Sequence, residues 1–522
     1  MTLTKWFSST KNNSSGFSMM SAGNLLVVLF TFVRQIEIAR VFGTDWKTDA
    51  FAVALVLPLL LREAIAHSIA SSFIPIYSSV ASRSSQRASS EFISRVINLI
   101  SVSGIVICAV LAVFSHKIVS VIGPGLNTAQ TDMASYMQRI LVPVVLLSSL
   151  SGVLQGVCEY QRRFALTALL RLAEITASLL VVFLFSGTLG ISVLPLSVLS
   201  GSVVLFVALI LVSGRLRINY RPVVSPWDPD FSRYMKMTIP VVLGALTVSL
   251  APVADKFMAS FLQEDSITSL DYANRVVNIL LVILFLPMAT VANVAFADHT
   301  AKRNRAAFKG EIGKLLGWTS AIVLPATAVL MVIAVPLVSV LFQRGEFTSE
   351  DSQTVGRAML FYAPLLATFS ICTLFGRAFY AMKDSITPVF LAIWGMLANV
   401  LLNVVLIGSM GIGGLALATS IASAAQMVFL GYFLRKRIGG LHGRILVKEH
   451  IKIVLSCMVM VSAIVLLKSH FIYNINGTFT SRLSLVVFYI VAGVLAYSIS
   501  MYLAKSMSAR SILSKLSSRF GS

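Results

Sequence analysis

Charge is scarce in this sequence. Only 12% of its 522 residues are Asp, Glu, Lys or Arg, while 57% are hydrophobic. With a mean hydropathy of +0.86, the chain cannot be a water-soluble globule of that length. Acid is scarcer still: 21 carboxylates stand against 42 Lys and Arg, a formal charge of +21. The surplus is spread through short loops between apolar runs, which reads as a topology signal and not as a nucleic-acid surface. The four cysteines, Cys108, Cys158, Cys372 and Cys457, lie far apart inside apolar runs. CxxC spacing and a secreted disulfide pattern are both lacking, so they read as packing residues. The six histidines form no HExxH pair, and neither a GxSxG elbow nor a Walker-type glycine loop is present. Those absences speak against an enzyme, against a resident cofactor and against ATP-driven transport within this chain.

What is there is a succession of apolar runs of about 20 residues or more, the length a helix needs to cross roughly 30 Å of hydrocarbon. Period-two alternation of the barrel type is missing. The opening MTLTKWFSSTKNNSSGF is polar and basic but runs into a segment that carries Arg34, so the first run is expected to stay attached. The expected fold is all-α and integral to a membrane, with about fourteen transmembrane helices. They fall near 18–41, 48–80, 92–115, 129–158, 161–185, 190–213, 232–261, 267–298, 315–343, 350–381, 386–407, 411–435, 448–468 and 483–504. Alternate loops differ in charge. Arg83 and Arg87, Arg162 and Arg163, Arg215, Arg217 and Arg221, the cluster Lys302, Arg303, Arg305 and Lys309, and Arg435, Lys436 and Arg437 share one side. That side should be cytoplasmic, and both termini with it, including the basic tail from Lys505.

The spacing hides a repeat. When GLNTAQTDMASYMQRILVPVVLL is laid over GEFTSEDSQTVGRAMLFYAPLLA, Thr128 faces Ser349, Pro143 faces Pro364, and the turns YQRRFALT and AMKDSITP stay in register. The copies start six helices apart, an even number, so they share one orientation in the membrane. Two pseudo-symmetric six-helix lobes, 1–221 and 222–440, are expected around a central cavity, followed by 441–522 with helices 13 and 14 and the basic tail.

Two polar sets stand out against this background. Arg34, Arg62 and Arg275 interrupt helices 1, 2 and 8. Each is costly in hydrocarbon, by at least ~2.5 kcal/mol on insertion scales, unless it meets water, a partner or an anion. A guanidinium fork matches phosphate oxygens and keeps its charge, so one reading is a shared diphosphate site. The other is snorkelling or local pairing, Arg34 with Glu37 and Arg62 with Glu63. The second set is rich in oxygen: Asp255, Asn399 and Asn403 one helical turn apart, and Thr419. It suits a small cation, or a proton at Asp255, or else interhelical polar contacts, and Lys256 offers Asp255 a local partner.

The segments FVRQIEIARVFGTDWKTDAF, LVLPLLLR, LDYANR, FQRGEFTSEDS, GRAFYAMKDSITPV and GLALATSIAS, in that order, resemble the MurJ/MviN family over nearly the whole chain. The resemblance implies the fold of the multidrug/oligosaccharidyl-lipid/polysaccharide exporter superfamily. It also implies flipping of lipid II, an undecaprenyl-diphosphate-linked peptidoglycan precursor, across the bacterial cytoplasmic membrane. Arg34, Arg62 and Arg275 match the family's cavity arginines, and Asp49 its aspartate after the first helix. Asp255, Asn399, Asn403, Thr419 and the Leu415 carbonyl match a sodium site of some members, which makes Na+ or H+ the candidate coupling ion. The match departs where this chain has Val28 and His67 in place of another arginine and a nearby glutamate. A flippase for another polyprenyl-diphosphate glycan, such as an exopolysaccharide or O-antigen unit, is the alternative. A multidrug-type exporter of organic cations is a further one, and three cavity arginines would repel its cargo.

The charge pattern makes a direct prediction in a cysteine-free background. A single cysteine near Asn474 should react with a membrane-impermeant thiol reagent added outside, and one near Arg303 should not; the reverse labelling would overturn the orientation.

Overall fold

A computed structural model describes residues 13–83, 86–213, 220, 228–248, 251–440, 443–471 and 473–506. The loop cations Arg215, Arg217 and Arg221, the tail beyond Ser506 and the side chain of His67 lie outside the described residues. Among the described residues there are seventeen α-helices and no strand. In chain order they are α1 (Asn13–Phe42), α2 (Trp46–Arg83), α3 (Gln86–Val113), α4 (Ser115–Ile122), α5 (Thr128–Tyr160), α6 (Phe164–Leu189), α7 (Val193–Ser213), α8 (Pro229–Val248) and α9 (Ala251–Ala259). Then come α10 (Ser266–Ala301), α11 (Arg305–Val332), α12 (Ala334–Phe342), α13 (Ser349–Ala381), α14 (Ile386–Met410), α15 (Ile412–Ile438), α16 (Gly443–His470) and α17 (Phe479–Leu503). The short α4, α9 and α12 each follow within two residues of a longer helix, which leaves fourteen successive rods. Among the described residues ten segments are long and apolar enough to cross a membrane; α8, and α1 and α2, which carry Arg34 and Arg62, are not among them.

The repeat is visible in the backbone. Helices α5 and α13 both have 33 residues, both follow a short helix, and both open on a capping box. In the first, Gln130 N–H donates to Asn127 Oδ1 and Asn127 N–H to Gln130 Oε1, each at 2.9 Å. In the second, Asp351 N–H donates to Thr348 Oγ1 at 3.2 Å and Thr348 N–H to an Asp351 oxygen at 2.6 Å. The interval from Pro143 to Pro364 also separates Arg162 from Lys383, two non-glycine residues with φ of 57° and 62°, and Gly190 from Gly411, with φ of 53° and 55°. Packing repeats as well: α5 lies against α3 and α7, and α13 against α11 and α15. These two helices are also the most enclosed, with 78% and 67% of their most apolar stretch buried, so each forms the centre of its own unit.

The chain divides into two compact units, Met1–Thr268 and Ser269–Ser522. In the first, an aromatic cluster packs α2, α3 and α8 against α5. Phe73 stacks on Tyr77 at 5.1 Å and on Phe92 at 5.9 Å, and meets the edge of Tyr234 at 6.3 Å. Gly156 lets α5 approach Phe73 closely, since a Cβ there would lie 3.0 Å from the ring. In the second, Phe296, Phe308, Phe375 and Phe379 anchor the core. Helices α16 and α17 are pinned to it by polar side chains: buried Arg482 donates to Gln343 Oε1 at 2.6 Å, Tyr497 to the Ala321 carbonyl at 2.9 Å, and Tyr473 bonds Ser339. Cys158, Cys372 and Cys457 are buried free thiols, and Cys108 is a half-buried one.

One close approach in the first unit joins two turns. Gly125 donates its N–H to Ser260 Oγ at 3.2 Å, and a Cβ on Gly125 would stand 1.9 Å from the Ser260 carbonyl oxygen. Gly125→Ala should therefore destabilise the protein by about 1–3 kcal/mol through overpacking. Thermal unfolding in detergent checks this, and an unchanged midpoint would contradict the approach.

Candidate functional site

The first unit's polar seam is organised by α6. Within the run ALLRLAEITASLL, Arg171, Glu174 and Ser178 recur at three- and four-residue intervals, which puts them along one side of the helix. Two glycines set how close its neighbours come. A Cβ at Gly23 on α1 would sit 2.6 Å from Ala168 Cβ, and one at Gly201 on α7 would sit 2.7 Å from the carbonyl oxygen of Glu174. Small residues at these contacts let the backbones approach, as is usual where helices pack in lipid.

Two of the three arginines expected from the sequence meet this face. Arg62 Nη2 on α2 donates to Glu174 Oε1 at 2.5 Å, with side-chain exposures of 28% and 14%. Arg34 Nη1 on α1 donates to buried Ser178 Oγ at 2.7 Å. The local pairs do not form. Glu37 takes Arg40, at 2.5 and 2.9 Å, and Glu63 is exposed. One residue is about 100° of helix, so Glu63 cannot face the way Arg62 does. Arg171 is turned aside to Gln155 Oε1 on α5 at 3.0 and 3.1 Å. The third arginine, Arg275, is half-buried on α10, and its buried Nε has no hydrogen-bond partner among the described residues. Val28 lies on α1, half-buried.

Asp49 is almost wholly buried and accepts the backbone N–H of Thr268 at 2.7 Å. It thereby caps the first turn of α10 from outside, in the manner of an N-cap carboxylate. Its place is architectural. Lys256 reaches past its neighbour Asp255 and donates to the Ala52 carbonyl on α2 at 2.9 Å.

The oxygen-rich set comes together in part, within the second unit. Asn403 Nδ2 donates to Asn399 Oδ1 at 3.3 Å, Asn399 Nδ2 to Thr419 Oγ1 at 3.0 Å, and Thr419 Oγ1 to the Leu415 carbonyl at 3.1 Å. Both asparagines are buried. In this arrangement Asn399 Oδ1, Thr419 Oγ1 and the Leu415 carbonyl each accept one hydrogen bond from the set's own donors, forming a polar ladder between α14 and α15. Among the described residues no group of three or more His, Cys, Asp or Glu is placed to hold a metal.

Sequence reasoning missed Glu174, Ser178 and Arg171. A signal was there: an arginine and a glutamate three residues apart inside an apolar run, on the helix after the repeat's proline helix. What the run could not reveal is that Glu174 pairs across 112 residues of chain with Arg62.

Known proteins agree with this architecture. The probable lipid II flippase MurJ of Rickettsia prowazekii is 26% identical over 91% of this chain and 95% of its own. That of Buchnera aphidicola subsp. Acyrthosiphon pisum is 28% identical over 80% and 83%. A solved structure described as lipid II flippase MurJ in an inward closed conformation has the same fold, with a TM-score of 0.80, 22% identity and coverage of 93% and 98%. An inward-facing multidrug resistance transporter of the MATE family shares the fold more distantly, with a TM-score of 0.68 at 15% identity over 79% and 94%. The family described as lipid II flippase MurJ matches residues 38–508, nine-tenths of the length. The chain, a multi-pass membrane protein, belongs to the lipid II flippase MurJ family.

Proposed function

We propose that this protein flips lipid II from the inner to the outer leaflet of the bacterial cytoplasmic membrane by alternating access, with both termini cytoplasmic and the diphosphate received by Arg34, Arg62 and Arg275. Membership of the family supports the substrate class. The observation that carries the site is the 2.5 Å pair between Arg62 and Glu174 on separate helices. An arginine built only to bind an anion would be a liability in an empty carrier, because an unmet charge in hydrocarbon is costly. Glu174 meets it while no substrate is bound. A diphosphate carries more charge and more acceptor oxygens than one carboxylate, so it displaces Glu174 from the guanidinium fork. Arg34, which donates to the neutral Ser178 hydroxyl, exchanges that bond for the same anion. When the product leaves, Glu174 returns to Arg62 and that pair is neutral again. Moving negative charge outward is favoured by about 2.3 kcal/mol per charge per 100 mV of inside-negative potential. In this reading 1–221 and 222–440 are the two lobes, with 441–522 outside the repeat, and Asp49 supports the site by fixing the start of α10.

Substitutions of the arginines and of Glu174 separate the roles. Arg62→Ala should weaken lipid II binding by about ten- to a hundredfold, the worth of hydrogen bonds to a charged group. Arg34→Ala and Arg275→Ala should do likewise. Arg62→Lys should also be impaired, since an ammonium lacks the planar fork. Glu174→Gln should bind lipid II more tightly yet flip it more slowly in vesicles. If Glu174→Gln only lowers the melting temperature and leaves affinity unchanged, the counter-ion exchange is wrong. Depletion of the protein in cells should make lipid II accumulate, and accumulation of a different polyprenyl-diphosphate glycan would reassign the substrate.

A further inference from the structure

In the second unit, the turn between α10 and α11, the start of α11 and the end of α15 surround a cavity of about 650 Å3. The flipping site described above does not include it. Four permanent cations line it: Arg303 and Arg305 from the turn, Lys309 one helical turn into α11, and Arg437 from the end of α15. Among the described residues no carboxylate lines it. Of the acids nearby, Asp298 is taken by Lys302 at 2.8 Å and Asp384 lies 4.0 Å from Arg437.

The walls are built. Lys309 Nζ donates to the Gly439 carbonyl at 3.3 Å, tying α11 to the left-handed cap of α15. Arg303 has a φ of 51°, and the turn around it is closed by Arg303 N–H to the Thr300 carbonyl at 3.1 Å and Asn304 N–H to the His299 carbonyl at 3.0 Å. Asn304 Oδ1 then caps α11 by accepting Ala307 N–H at 3.0 Å, so the positive end of that helix also opens here. Phe308, Met382 and Ile438 supply an apolar floor. A topology signal needs only positive charge on one side of the membrane. It requires neither convergence of cations from three elements nor a floor beneath them.

The surroundings indicate the source of the anion. On α15, Arg437 is preceded at four-residue intervals by Phe433 and Phe429, exposed at 40% and 53%. Residues so spaced share a helix face, and the strip runs from the cavity toward the middle of the helix. A soluble phosphate would use the cations and leave the strip bare. A phospholipid would use both.

We propose that this cavity binds the phosphodiester headgroup of an anionic phospholipid, with an acyl chain along Phe433 and Phe429. In the orientation proposed from the loop charges, the lipid belongs to the cytoplasmic leaflet, where anionic headgroups meet basic pockets between helix ends. The lipid would bridge α11 and α15, elements that carry none of the three arginines of the flipping site.

The test uses the purified full-length protein in neutral detergent, with the rise in unfolding temperature read against added phosphatidylglycerol, phosphatidylcholine or sn-glycerol 3-phosphate. Phosphatidylglycerol should give a saturable rise, and the other two none at the same concentrations. Arg305→Gln with Arg437→Gln should shift the phosphatidylglycerol half-saturation upward by about thirtyfold, from two juxtamembrane cations. Lys436→Gln with Lys448→Gln, removing the same charge elsewhere on this unit, should leave it in place. Should the cavity double variant fail to fold, Arg437→Gln alone should give about a fivefold shift. An unchanged titration in the cavity variants, an equal loss in the control, or a full rise with glycerol 3-phosphate alone would overturn the proposal.

Discussion

A charge inside a bilayer must be met, and the first unit is arranged around meeting one. Arg62 on α2 finds its carboxylate on α6. That single pairing requires α6 to lie beside α1 and α2 and to present Glu174 and not an apolar neighbour. The contacts at Gly23 and Gly201 satisfy the first requirement, because any larger residue would push α6 away from α1 or α7. The three-four spacing of Arg171, Glu174 and Ser178 satisfies the second. Ion pairs of this kind are weak evidence of stability, since desolvation offsets most of the attraction. In the proposed cycle the pair serves as readiness for an anion.

Much of the fold could be read from the letters. Fourteen rods were expected and fourteen follow one another, with ends that differ by a few residues because helices continue past the bilayer-length window, as α2 does to Arg83. The repeat was legible through two prolines, which survive because the bend they impose on α5 and α13 is a backbone property. The breaks at Phe114 and Ile333, where α4 and α12 begin, were missed. Nothing in the apolar run marks the pause at Phe114, where neither glycine nor proline is used, whereas Pro336 in the first turn of α12 was a signal for the break at Ile333.

The candidate site was legible by half. The arginines announce themselves because they are expensive where they stand. Their partners do not, because a glutamate is identified as a partner only by the path of another helix. Arg34 and Arg62 each had a glutamate close by in sequence, and both pairings fail, one because Glu37 is three residues from Arg40 and the other because Glu63 points elsewhere. The oxygen-rich set shows the same limit from the other side. Residue types chosen by a hard cation are also the types that bond one another, as Asn399, Asn403, Thr419 and the Leu415 carbonyl do, so the letters alone do not separate the two readings.

Among the described non-glycine residues with positive φ, Arg162 and Lys383 stand at equivalent places in the two copies. A cationic side chain is a poor choice for that backbone region, where glycine would be free of strain. The two copies therefore share a dihedral angle at a place where they share few letters, as they do at Gly190 and Gly411. Internal symmetry too faint for an alignment of residues can be recovered by comparing the chain's sequence of angles with itself.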